Sequence, residues 1–195
     1  MFMRFLPVAA VTGCLLTASA ATAPASPDYL ANNTVLIVRH AEKPLKGRTL
    51  TPQGEARAKA YVQYFQHFHS GNLAFAVDGL YAGADSEESM RPRLTLEPLH
   101  AATGMGLHSD IGTKESPKLV AELRTTQHGA HPLISWRHGQ IPSLLEAFNA
   151  SPAKLLPEGK WPDDVFDWVI VLHFDKNGTL DSQTLVHEDL AIATQ

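Results

Sequence analysis

The chain has 195 residues, 44% of them hydrophobic, which is enough for one domain with an ordinary buried core. A formal net charge of −4, with 16 scattered Lys and Arg, excludes the basic tract of a nucleic-acid binder. Cys14 is the only cysteine, so the folded domain uses no internal disulfide. The chain opens as an export signal. Met1 to Arg4 is a short basic start, Phe5 to Thr17 is almost wholly apolar, and Ala18-Ser19-Ala20 is an A-x-A cleavage pattern. A membrane span needs about 18–20 apolar residues, and this run is shorter. Cleavage after Ala20 avoids the Pro24 that would follow a cut after Ala23. Val11-Thr12-Gly13-Cys14 resembles a bacterial lipobox, and a lipid on Cys14 would be the one route to a membrane. Leu15-Leu16 after it suits a soluble product better. The expected organisation is a signal over 1–20, a spacer over 21–33 and one domain over 34–195, periplasmic or secreted.

Thr34 to Val38 reads as a buried strand that ends on Arg39-His40. Thr51-Pro52 opens a helix, with Thr as N-cap and Pro at the first position. Tyr61, Tyr64, Phe65 and Phe68 give that helix an apolar face. Ala74 to Ala82 is a second strand candidate, followed by a loop and a helix that ends near Gly104. Ser116-Pro117 opens a third helix. Pro132 to Trp136 is a buried strand that ends on Arg137-His138, with a helix from Gly139 to Asn149. Asp167 to Phe174 is a strand, Asn177-Gly178 a hairpin signal, and Thr179 to Val186 the returning edge strand. This alternation predicts an α/β/α sandwich with a mostly parallel sheet.

Two strands thus deliver an Arg-His pair to one sheet edge, where such folds keep their chemistry. Arg91-Pro92-Arg93 enters the helix after the second strand candidate. Two His with Arg describe a pocket for a tetrahedral dianion, because Arg forks bind phosphate oxygens in pairs. One neutral imidazole can attack phosphorus, and a protonated one can hold the oxygens. Arg93 and Arg137 read equally well as pocket or surface residues. His67, His69, His128, His131 and His173 read as packing or surface residues, and no Cys, Asp or Glu at ligand spacing makes His128-Gly-Ala-His131 a metal site. Trp136 and Trp161 read as core or rim, and Asp163-Asp164 as a solvated loop.

On these residues the sequence resembles the histidine phosphatase superfamily, also called phosphoglycerate mutase-like. Arg39-His40-Ala41 corresponds to its Arg-His-Gly signature, with Ala for Gly. Leu50-Thr51-Pro52-Gln53-Gly54 is similar to its Leu-Thr-x-x-Gly segment. Arg91, with Thr95, Pro98 and Leu99, is similar to its Arg-Thr-x-x-Thr-Ala-x-x-Leu segment, and His138-Gly139 to its second catalytic His. The resemblance spans about Thr34 to Phe174, and "RHAEKP" with "WRHGQIP" looks like an exported bacterial branch. Lys46 stands where the family often has a phosphate-binding Asn.

The resemblance implies a phosphoglycerate mutase-like fold and a phosphatase that uses neither metal nor cofactor. It implies that His40 attacks phosphorus to form a phosphohistidine while Arg39, Arg91 and His138 hold the equatorial oxygens. The implied partner is a small phosphomonoester or phosphoanhydride; a mutase fits a short exported chain poorly. Glu115, 24 residues beyond Arg91 at a helix entry, is the implied proton donor, with Glu42 the alternative. The rival class is a catalytically weak anion-binding envelope domain that keeps the fold.

Overall fold

The computed structural model describes residue 1 and residues 27–192. All of the signal but Met1, the cleavage site, Cys14 and the first part of the spacer (21–26) lie outside the described residues. Among those described, no helix is long and apolar enough to cross a membrane.

β1 (Thr34–Arg39) is buried along its whole length, as its unbroken apolar run requires. It lies inside a six-stranded sheet with β4 (Gly79–Ala82), β5 (Leu107–His108), β6 (Pro132–Trp136), β7 (Trp168–Phe174) and β8 (Leu180–His187), in the order β5-β4-β6-β1-β7-β8. The first four positions are mutually parallel; β7 runs antiparallel to β1, and β8 to β7. The sheet is therefore mostly parallel, as expected.

Its side chains alternate between two cores. Leu36, Val38, Leu80 and Leu133 pack under Tyr61 and Phe65 of α1 (Pro52–Gln66) and Leu96 and Leu99 of α2 (Arg91–Thr103). Val35, Ile37, Ile134 and Trp136 pack under Leu119 and Leu123 of α3 (Ser116–Thr125) and Leu144 and Leu145 of α4 (Ile141–Ala147). Each fully buried Leu or Ile contributes about 1.5–3 kcal/mol. This is the three-layer sandwich the element order predicts.

Three local readings change. The strand expected over Ala74 to Ala82 is two elements: β3 (Leu73–Phe75), which forms a small hairpin with β2 (Phe68–Ser70), and then β4. Asp78 separates them. Its carboxylate accepts from the N–H groups of Ala130 and His131 at 2.8 and 2.7 Å, which turns the chain into the sheet beside β6. The helix expected from Gly139 begins as a 3-10 turn, His138–Gln140, before α4. β5 and α5 (Pro152–Leu155) are too short to leave a period in the sequence.

The predicted caps hold. Thr51 Oγ1 accepts from Gly54 N–H at 3.1 Å, and Gly104 ends α2 in the left-handed conformation. A Cβ on Gly54 would sit 2.5 Å from Glu42 O, so glycine is what lets α1 press against the chain leaving β1.

Candidate active site

The register of the central strands builds the site. Arg39 of β1 lies opposite Trp136 of β6, and His40 N–H donates to Trp136 O at 2.9 Å. The two Arg-His pairs therefore leave the sheet side by side, as two parallel strands in this register must. Their imidazoles stand edge to face, with ring centroids 6.3 Å apart. On the far side of β6, β4 runs into the loop that ends at Arg91, the first residue of α2. Thr95 locks this corner: its Oγ1 accepts from Ala41 N–H at 2.9 Å and donates to Arg91 O at 2.8 Å.

His40 is only 2% exposed. Its Nδ1 is 2.8 Å from Ala41 O. A carbonyl can only accept, so the proton sits on Nδ1 and the lone pair on Nε2. Burial, then the charges of Arg39, Arg91 and His138, lowers its pKa to about 3 despite that hydrogen bond. The ring is neutral across the whole physiological range, as a nucleophile must be.

Arg39 is fully buried, and burial lowers its pKa to about 10, so it stays charged. Its Nη1 donates to the carbonyls of Pro162, Asp163 and Val165 at 3.1, 2.7 and 2.9 Å, and its guanidinium lies 3.8 Å from the centre of the Phe166 ring. Nε and Nη2 have no partner. Arg91 Nη1 donates to Gly47 O at 2.8 Å, and its Nε is likewise unpartnered. Burial and then Arg137 push the Arg91 pKa down. His138 Nε2 lies 2.6 Å from an Asp163 carboxylate oxygen, and its buried Nδ1 has no partner. Among the described residues, seven buried side-chain N and O atoms lack a partner, and four are nitrogens of Arg39, Arg91 and His138. Buried donors are normally satisfied. A cluster of unsatisfied ones beside a neutral His suits an anion.

The structure thus brings together His40, Arg39, His138 and Arg91. It sets the two carboxylates apart. Glu42 is buried against Arg57, with three contacts of 2.8–3.1 Å, and cannot readily turn to a substrate. Arg57 also holds Glu188 at 2.5 Å, and Glu188 accepts from Tyr61, which ties the chain after β8 to the back of the site. Glu115 lines a cavity of about 420 Å³ with Ser86, Glu88, Thr113 and Arg137, and accepts from Gly112 N–H at 3.0 Å. Gly139 faces open space. Lys46 is exposed, as is Leu45.

Arg137 pairs with Glu88 at that cavity, whereas Arg93 pairs with Asp85 and Glu97 on the surface. Trp136 and Trp161 are core residues; Trp161 Nε1 donates to Val165 O at 2.9 Å and steadies the loop around Asp163. His131 stacks on Phe75, and His128 bonds to Gly129 O and Leu123 O, so neither is arranged as a ligand. Asp163 was not legible as a site residue. Its side chain is 87% exposed, as a solvated loop predicts, yet it reaches His138.

The fold and these residues define an α/β protein with paired His and Arg at the carboxyl ends of its central strands. No protein-family model matches the chain, and no curated protein matches it. Solved structures do. The fold is shared with a protein assigned as the phosphohistidine phosphatase SixA from Agrobacterium tumefaciens, at a TM-score of 0.50 and 15% identity over 80% of this chain and 96% of that one. A protein histidine phosphatase SixA complexed with tungstate matches at 0.47 and 15% identity, over 77% and 95% of the two chains. The phosphoglycerate mutase of Plasmodium falciparum matches at 0.48 and 14%, over 85% and 94%. The fold is therefore the one seen in that Agrobacterium structure.

Proposed function

We propose that the chain is a phosphatase that works through a phosphohistidine on His40, acting on a small phosphomonoester or phosphoanhydride. One observation carries the reading: a buried, neutral His40 with its Nδ1 proton engaged stands among four unpartnered nitrogens of Arg39, Arg91 and His138. Nε2 attacks phosphorus, the N–P bond forms, and the bond to the leaving oxygen breaks. Arg39, Arg91 and His138 take up the charge on the equatorial oxygens. Glu115, on the wall of the neighbouring cavity, gives the leaving oxygen its proton. Water then attacks the phosphohistidine and gives a proton back to Glu115, the N–P bond breaks, and inorganic phosphate leaves. Export through residues 1–20 belongs to the same reading; a mass spectrum of the mature protein that begins at Ala21 would support it, and one that begins at an acylated Cys14 would refute the soluble form.

The test is trapping with an aryl phosphate under an alkaline denaturing quench. The wild-type protein is expected to give an acid-labile, base-stable phosphoenzyme and His40→Ala none, with its circular dichroism unchanged. Turnover by His40→Ala near the wild-type rate would remove the nucleophile. Phosphate binding by the wild-type protein without any phosphoenzyme would favour the anion-binding rival.

A further inference from the structure

We propose that Asp163 is a positioning residue for His138: its carboxylate on Nε2 turns the ring so that Nδ1 meets the phosphoryl group, and favours the doubly protonated form. This rests on the phosphatase reading. The first ground is how Asp163 is held. The loop that bears it is pinned by three carbonyl bonds to buried Arg39, by Trp161 on Val165 O and by Phe166 under the Arg39 guanidinium. An exposed carboxylate is thereby delivered 2.6 Å from one nitrogen of a half-buried His.

The second ground is the other nitrogen. Nδ1 of His138 is buried and unpartnered. In a neutral ring that donates from Nε2 to Asp163, Nδ1 carries a lone pair, which repels a phosphoryl oxygen. With both nitrogens protonated, Nε2 donates to Asp163 and Nδ1 to the oxygen. A carboxylate behind a functional His commonly sets its tautomer in this way.

The third ground is the field. Burial, Arg39 of β1 and Lys43 of the following loop all favour a neutral His138, and together they lower its pKa. His40 facing it is neutral, and Arg137 beside it is paired with Glu88. Asp163 is the carboxylate that opposes them.

The experiment compares Asp163→Asn, which keeps an acceptor but loses the charge, with Asp163→Glu. Because His138 must be protonated, kcat/KM falls as pH rises through its pKa. Opposite charges at this range shift a pKa by about 1–3 units, and exposure puts this pair at about one. The alkaline limb of Asp163→Asn with aryl phosphate is expected about one pH unit lower, with about tenfold lower kcat/KM on that limb and recovery on the acid side. Asp163→Glu is expected to restore most of it. Superimposed profiles would overturn the proposal. So would an Asp163→Asn defect confined to alkyl phosphates, which would make Asp163 a proton donor. If the wild-type protein turns over nothing, the phosphatase reading fails by itself, and NMR titration of the His138 ring still decides this one: a lower midpoint in Asp163→Asn supports it, an unchanged midpoint refutes it.

Discussion

A histidine buried as a free base leaves a mark on stability. His40 has an ordinary pKa of 6.5 when unfolded and about 3 in the fold, where burial is the largest cause. Between those values the unfolded chain binds the extra proton, so the contribution of His40 is complete above pH 6.5 and is lost as pH falls toward 3. Each unit is about 1.4 kcal/mol, so lowering the pH from 6.5 to 4.5 removes about 3 kcal/mol. Buried Glu188 runs the other way: burial raises its pKa to about 7, so its stability is present below the usual Glu range and is lost as pH rises through 7. A wild-type profile alone would blur the two. The difference between wild type and His40→Asn isolates the first, because Asn keeps a donor near the Nδ1 position for Ala41 O. Urea unfolding at pH 7 and pH 4.5 measures it. The wild-type protein is expected to lose about 3 kcal/mol more than the variant. Equal losses would mean that His40 titrates normally in the fold, and the argument for a pre-formed neutral nucleophile would collapse.

Two further outcomes follow from the geometry. Gly54→Ala places a Cβ 2.5 Å from Glu42 O, against backbone that cannot yield as a side-chain tip would, so a loss of about 1–3 kcal/mol is expected in thermal or urea unfolding; a neutral result would show that α1 can slide. Glu115→Gln should slow alkyl phosphates about 10²-fold or more but nitrophenyl phosphate little, since nitrophenolate leaves without a proton; equal effects on both, or none, would take Glu115 out of the mechanism.

The parts of this site legible in the sequence are those that break a local pattern. Arg39-His40 and Arg137-His138 interrupt apolar strands, and a charge at such a point needs a reason. Thr51 and Gly54 mark a helix start by composition alone. Asp163 breaks nothing: an Asp beside an Asp after a proline reads as solvent-facing, and its side chain is solvent-facing. What makes it special is the buried Arg39 that grips its backbone from 124 residues away. Arg57 is hidden in the same way. On a helix it looks like a polar-face residue, yet it sits buried between Glu42 and Glu188, and the second of these lies 131 residues downstream. The break between β3 and β4 leaves no local mark because Asp78 acts through Ala130 and His131, again far along the chain.

The bond from His40 N–H to Trp136 O joins residues 96 positions apart, in a pair of parallel strands that no short turn can connect. Contacts of such long sequence separation form slowly, after nearby pairings are already in place. No fragment that stops short of β6 can assemble the two histidines, and a chain emerging from a ribosome cannot bring them together until its last third is free. Recovery of turnover during refolding would therefore report the docking of β6 on β1, a step that total helix content, largely local, would register earlier.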